Sequence, residues 1–196
     1  MKLIKKYKSQ IGYFIKNAPL AIITSALPGA VNYAVILFLT AFYTFEDVGT
    51  FRLMMSYFAL LGLFSLKESS KVQVRAQADG NERSSSTLFY ARLYTIGITT
   101  LIIALLSLLN LKLIPSDLIW IALFSCLAYP AELFLPALQA EKRFTLLAGL
   151  SFIKYLGSLS IFVIIMIMDY SITLSCYGLI GFMSISNVVF YALYLG

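Results

Sequence analysis

The 196-residue sequence predicts an all-α, polytopic membrane protein, and three observations carry that prediction. Apolar residues make up 60% of the chain and charged residues 12%, against about 45–50% and about 25% in soluble domains. Four apolar runs, Pro19–Tyr43, Leu93–Leu111, Leu118–Leu138 and Leu146–Met168, reach the length of about 20 helical residues that a bilayer core requires. Two shorter or less uniform runs, Phe51–Leu66 and Ile172–Leu195, bring the expected spans to six. Inside lipid every backbone N–H and C=O must be satisfied within the protein, which leaves helices or a closed barrel. Barrel strands alternate in polarity. Stretches such as Ile161–Met168 (IFVIIMIM) do not, so the spans are read as helices in a single transmembrane lobe over residues 1–196.

The first element, residues 1–17, reads as an amphipathic helix lying in the membrane interface. Leu3, Ile4, Tyr7, Ile11 and Ile15 recur at helical spacing, with Lys2, Lys5, Lys6, Lys8 and Lys16 supplying charge. The apolar run that follows is too long for the h-region of a cleavable signal. The first span then carries Ala21, Ser25 and Gly29 at four-residue spacing, with Ala26, Ala30 and Ala34 beside them. Small residues at this period allow close helix contact. Pro28–Gly29 is expected to interrupt the same helix, and the interruption is either a packing feature or a bend that moves. Asn32, one turn further on, is either an interhelical hydrogen bonder or a cavity residue.

Between the spans the basic residues fall on one side. The N-terminus, residues 67–92 and residues 139–145 hold 12 of the 15 Lys and Arg residues. Residues 44–52, 112–117 and 169–171 hold only Arg52 and Lys112, together with Glu46, Asp47, Asp117 and Asp169; Lys154 falls inside a span. Positive charge marks the cytoplasmic side of a membrane protein, so both termini and the polar 67–92 loop are expected in the cytoplasm. The net charge of +6 is therefore assigned to membrane orientation, not to nucleic acid.

Catalytic motifs do not support an enzyme. The chain has no His, no GxxxxGK phosphate loop and no GxGxxG, so His-based acid–base or nucleophilic chemistry is excluded. Cys126 and Cys176 each lie within a predicted span, and two Cys without His do not make a zinc site. Both are read as small apolar packers. No metal or other cofactor is expected.

Six residues stand out as candidates for a substrate cavity. Lys67, Lys71 and Arg75, four apart, would form one basic face on a helix continuing from the second span, which either receives lipid phosphates or anchors the chain to bulk headgroups. Glu132 lies between Pro130 and Pro136 in the fourth span. It either faces protein or water at depth, or reaches the interface. Lys154 in the fifth span either snorkels, pairs with Glu132, or faces a cavity. Asn32 completes the set. Arg52 is expected to pair locally with Glu46 and Asp47.

The stretch ILFLTAFYTFEDVGTFRLMMSYFALLGLFSL (Ile36–Leu66), with Glu46, Asp47, Gly49 and Phe51 following the first span, resembles the polysaccharide flippases of the multidrug/oligosaccharidyl-lipid/polysaccharide exporter superfamily. The basic Lys67–Arg92 loop and QAEKRF (Gln139–Phe144) add to that resemblance. It implies translocation of undecaprenyl-diphosphate-linked oligosaccharide repeat units across the bacterial inner membrane for O-antigen or capsule synthesis. The implied partners are the lipid-linked oligosaccharide, membrane lipids, and a C-terminal lobe, a second copy or polymerase machinery. The family has two six-helix lobes, and this chain corresponds to the N-terminal one. The alternatives are a drug exporter of the same superfamily, or a non-transporting scaffold for polysaccharide assembly.

Overall fold

The computed structural model describes residues 2–66, 72–75, 83–108, 116–168 and 171–195. They form seven helices: α1 Lys2–Phe42, α2 Phe45–Phe64, α3 Arg83–Leu108, α4 Ser116–Ala131, α5 Phe134–Ala140, α6 Phe144–Ile167 and α7 Ile172–Leu195. No strand occurs among the described residues. Six spans are long and apolar enough to cross a membrane, with α4 and α5 together making the fourth, Asp117–Ala140. The chain is thus an all-α, multi-pass membrane protein.

Three boundaries differ from the sequence expectation. The interfacial segment and the first span are one helix, Lys2–Phe42, with Pro19 and Pro28 inside it. Residues 83–92, expected in a loop, are already helical. The second span starts at Phe45 because Thr44 caps it: the Thr44 Oγ1 accepts the Asp47 N–H at 3.3 Å, and Asp47 Oδ2 accepts the Thr44 N–H at 3.0 Å. This capping box satisfies two N-terminal groups at once. It also occupies Asp47, so the expected ion pair with Arg52 does not form.

Helical period sets what is buried. Leu27, Val31, Val35 and Leu39 line one side of α1 at four-residue steps, and Ile96, Thr100 and Ile103 line one side of α3 at steps of four and three. α4 and α7 are the central helices. α4 packs on α2, α3 and α7, and α7 also packs on α2, α5 and α6; α1 leans on α6 and α2. Their buried faces mix apolar groups with small polar ones, including Ser125, Ser151, Ser158, Ser175 and Ser184. Four of these hydroxyls return to their own helices: Ser125 donates to the Ile121 carbonyl at 2.7 Å, Ser158 to the Tyr155 carbonyl at 2.8 Å, Ser175 to the Ser171 carbonyl at 3.2 Å and Ser184 to the Ile180 carbonyl at 2.8 Å. Small size then allows close packing without an unmet polar group. α6 and α7 close together through reciprocal glycines. A Cβ at Gly157 would strike the Phe182 ring, and one at Gly178 would strike Ile165. The expected small-residue stripe on α1 is only partly covered: Ser25, Ala26, Gly29 and Ala30 are exposed, while Ala21 and Ala34 are half-buried.

Candidate functional site

The fourth span is broken near its basic end. α4 stops at Ala131, α5 starts at Phe134, and Glu132 and Leu133 form the turn between them. Pro136 has no N–H for the Glu132 carbonyl, which accepts from Leu135 at 3.1 Å instead. The Leu133 N–H goes to the Pro130 carbonyl at 3.3 Å, three residues back rather than four. That shift removes the usual helical donor from the Tyr129 carbonyl, and side chains from elsewhere serve the break. Arg92 Nη1 donates to the Tyr129 carbonyl at 3.3 Å, Asn187 Nδ2 to the Ala128 carbonyl at 3.0 Å, and Gln73 Nε2 to the Leu133 carbonyl at 3.2 Å. Only the Tyr129 carbonyl loses its helical donor through the shift; the Ala128 and Leu133 carbonyls also accept the Glu132 and Ala137 N–H groups, at 3.0 and 3.3 Å, so the side chains add to a backbone that lipid could not serve.

Lys154 arrives from α6. Leu147, Ala148, Ser151, Lys154, Ser158, Phe162 and Met166 form the buried stripe of that helix, so its period alone carries the lysine inward. Lys154 Nζ donates to Glu132 Oε1 at 3.2 Å, with the two side chains 4% and 15% exposed. Lys154 and Glu132 thus form the interhelical pair, and both also line a cavity.

Beside the pair lies a cavity of about 200 Å³ lined by Pro28, Phe58, Tyr129, Glu132, Lys154 and Asn187, among others. Its aromatic wall is fixed from both sides. Tyr129 stacks on Phe58 with ring centroids 5.1 Å apart and donates its hydroxyl to the Phe58 carbonyl at 2.6 Å. Gly62 makes that approach possible, because a Cβ there would lie 2.9 Å from the Tyr129 hydroxyl. The cavity thus joins an apolar, aromatic side to an ion pair and an amide.

The remaining sequence candidates lie elsewhere. Asn32 is exposed on α1 and lines a separate cleft with Arg52 and Ser56. Arg75 is exposed in a short helical turn over residues 72–75. Lys67 and Lys71 lie outside the described residues. The single basic face expected for Lys67, Lys71 and Arg75 required the second span to continue as helix. It does not: α2 ends at Phe64, and Leu66 has φ of 56°, a left-handed conformation that stops an α-helix.

Sequence reasoning missed Arg92 and Asn187. Arg92 is fully buried, but it precedes the apolar run from Leu93 and was assigned to the loop. The available signal was periodicity, since Arg92, Ile96, Thr100 and Ile103 lie on one face of α3. Asn187 is the only Asn in α7 and falls in register with the buried Ile180, Met183 and Ser184.

Among the described residues no group of three His, Cys, Asp or Glu could hold a metal ion. Cys126 and Cys176 are free thiols, with Cys126 Sγ 3.1 Å from the Thr100 hydroxyl. Fold and site together define a multi-pass membrane protein with a charged pair at a helix break beside a cavity. No protein-family model, curated protein or solved structure matches this chain.

Proposed function

We propose that this chain is a transport protein, one lobe of a translocator for polyprenyl-diphosphate-linked oligosaccharides of the bacterial inner membrane. The observation that carries the proposal is the buried Lys154–Glu132 pair at the break in the fourth span. Ionisable residues at membrane depth mark substrate or ion pathways, and discontinuous spans are used by transporters to form binding sites. Arg92, buried and bonded to the same turn, places a second cation near Glu132. Cations at that depth suit an anionic headgroup. In this reading a diphosphate competes with Glu132 for Lys154, while the polyprenyl chain stays in lipid. The positive-inside bias orients both termini toward the cytoplasm.

The test is complementation of a strain lacking the corresponding gene, reading surface polysaccharide and lipid-linked intermediates on the cytoplasmic face. Wild-type chain should restore surface polymer and clear the intermediates, and Lys154→Met and Glu132→Gln should not. Restoration by both variants would sink the proposal.

A second reading is favoured by the aromatic wall. Phe58, Tyr129 and Tyr155 beside Glu132 would suit a lipophilic cation. Accumulation of such a cation on deletion, without loss of surface polymer, would select a drug exporter instead. Loss of function on altering residues 67–92, with Lys154 and Glu132 dispensable, would select a scaffold.

A further inference from the structure

We infer that the facing sides of α1 and α2 form a water-filled cleft. It leads from the sparsely charged end of the bundle, where Glu46, Asp47 and Asp117 lie, to the Lys154–Glu132 pair. Met55 stands between this cleft and the inner cavity. The inference does not depend on which solute the site serves.

Three observations carry it. The first is a polar group that lipid cannot accommodate. Asn32 is exposed, and its side chain makes no hydrogen bond among the described residues. By count along α1 it lies about 15 Å from Phe42, at 1.5 Å per residue. An amide at that depth facing hydrocarbon would leave its donors and acceptor unmet, at several kcal/mol. Its short side chain cannot reach the interface as a lysine can.

The second observation is that Asn32 is not alone. It shares a cleft of about 440 Å³ with Ile36, Arg52, Met55, Ser56 and Ala59. The two helices run antiparallel from the Tyr43–Thr44 turn, so equal counts from that turn give equal depths. Ile36 and Arg52 lie about 10 Å down, Asn32 and Ser56 about 16 Å, and Pro28 and Ala59 about 21 Å. Pro28, Asn32 and Ile36 are one helical turn apart, as are Arg52, Met55/Ser56 and Ala59. Arg52, whose guanidinium forms no ion pair among the described residues, therefore sits at the cleft's shallow rung. The alternative for Arg52 alone is snorkelling to the interface, but that leaves Asn32 unexplained; the Ser56 hydroxyl donates to the Arg52 carbonyl at 2.8 Å and adds a polar surface to the cleft.

The third observation is continuity. Met55 and Ala59 line this cleft and also the inner cavity that holds Glu132, Lys154 and Asn187. Measured down α6, α4 and α7 from the same end, those three residues lie about 20–22 Å deep, level with Pro28 and Ala59. The Asn187 Oδ1 is buried with no hydrogen-bond partner among the described residues. A water at the inner end would supply that acceptor with a donor. Met55, half-buried and unbranched, is the side chain common to both spaces that can swing between rotamers.

Cysteine accessibility tests this without knowledge of the solute. In a chain carrying Cys126→Ala and Cys176→Ala, single cysteines are placed at Asn32, Ser56 and Ala59. Controls are Ile98→Cys and Ile153→Cys, exposed positions of matching depth on α3 and α6, and Phe45→Cys reports the sparsely charged end. Right-side-out and inverted membrane vesicles are treated with a membrane-impermeant methanethiosulfonate. Thiols react as thiolates, which form in water and not in lipid. The cleft positions should therefore label roughly tenfold or more faster than their controls, and from the same side as Phe45→Cys. Labelling no faster than at Ile98→Cys and Ile153→Cys, or labelling only from the opposite side, would overturn the inference. Met183→Cys, in the inner cavity, should label slowly and become faster when Met55→Ala is added. An unchanged rate would overturn the role given to Met55.

Discussion

The fourth and fifth spans invite comparison because the sequence makes them nearly alike. Each is 24 residues long, and their hydropathies are close. Yet Phe144–Ile167 is one continuous helix, and Asp117–Ala140 is two helices with a turn at Glu132–Leu133. Half of the apolar window of the fourth span is buried in the bundle, against 28% of the fifth. Hydropathy reports only that a segment can sit in lipid. It is blind to where the backbone opens and to which neighbours close it again. Pro130 and Pro136, six residues apart, flank the turn: neither has an N–H, and the carbonyls of Ala128, Tyr129 and Leu133 around it accept from side chains of other segments. The fifth span answers with a single long cation at the level of that break.

The comparison can be broken most severely by removing one member of the pair that joins the two spans. Glu132→Leu should destabilise the fold by about 3–5 kcal/mol, because it leaves the Lys154 ammonium buried without its carboxylate. Unfolding by SDS in mixed micelles reads the loss. The double variant Glu132→Leu/Lys154→Met should recover most of it, since a well-packed apolar pair is about as stable as a buried ion pair. Full additivity of the two single losses would show that the residues do not act together.

A smaller effect is expected from the residues that serve the broken backbone. Arg92→Leu should cost about 1–3 kcal/mol by leaving the Tyr129 carbonyl unmet in the interior. Asn187→Leu should cost about 0.6–1.7 kcal/mol, the range of single hydrogen bonds between membrane helices. The same micelle titration orders them. Asn187→Leu should prove the less damaging because the Ala128 carbonyl keeps the Glu132 N–H at 3.0 Å, and the opposite order would overturn this account of the break. The least effect belongs to a bond far from the break. Tyr43→Phe removes the hydroxyl that donates to the Met166 carbonyl at 3.0 Å and should cost about 0.6 kcal/mol.

What the sequence made legible follows the physics of solvation. Lys154 and Glu132 stood out because charge is rare in apolar runs, and their pairing was among the readings that charge alone allowed. The six spans were legible for the same reason. The break was half legible: the two prolines announced a bend, but nothing in the sequence says that Arg92 would meet the Tyr129 carbonyl or that Asn187 would add a second donor to the Ala128 carbonyl. That assignment depends on which helices are neighbours. Arg92 was also hidden by the method of setting boundaries, because hydropathy starts the third span after the arginine, while the helix starts at Arg83. The expected continuation of the second span toward Arg75 stops at one dihedral angle, the left-handed φ of Leu66. A helix-period argument cannot see where a helix stops when no glycine or proline marks the place.

α7 also holds the fourth span at three heights. Tyr177 donates to Asp117 at 2.6 Å near one end, Asn187 to the Ala128 carbonyl beside the break, and Tyr194 to Glu141 just past the other end. The bent span is strung on α7 like a bow on its cord. Glu132 belongs both to that bend and to the wall of the cavity beside Lys154, so a shift of the bend between its tied ends would reshape the cavity wall.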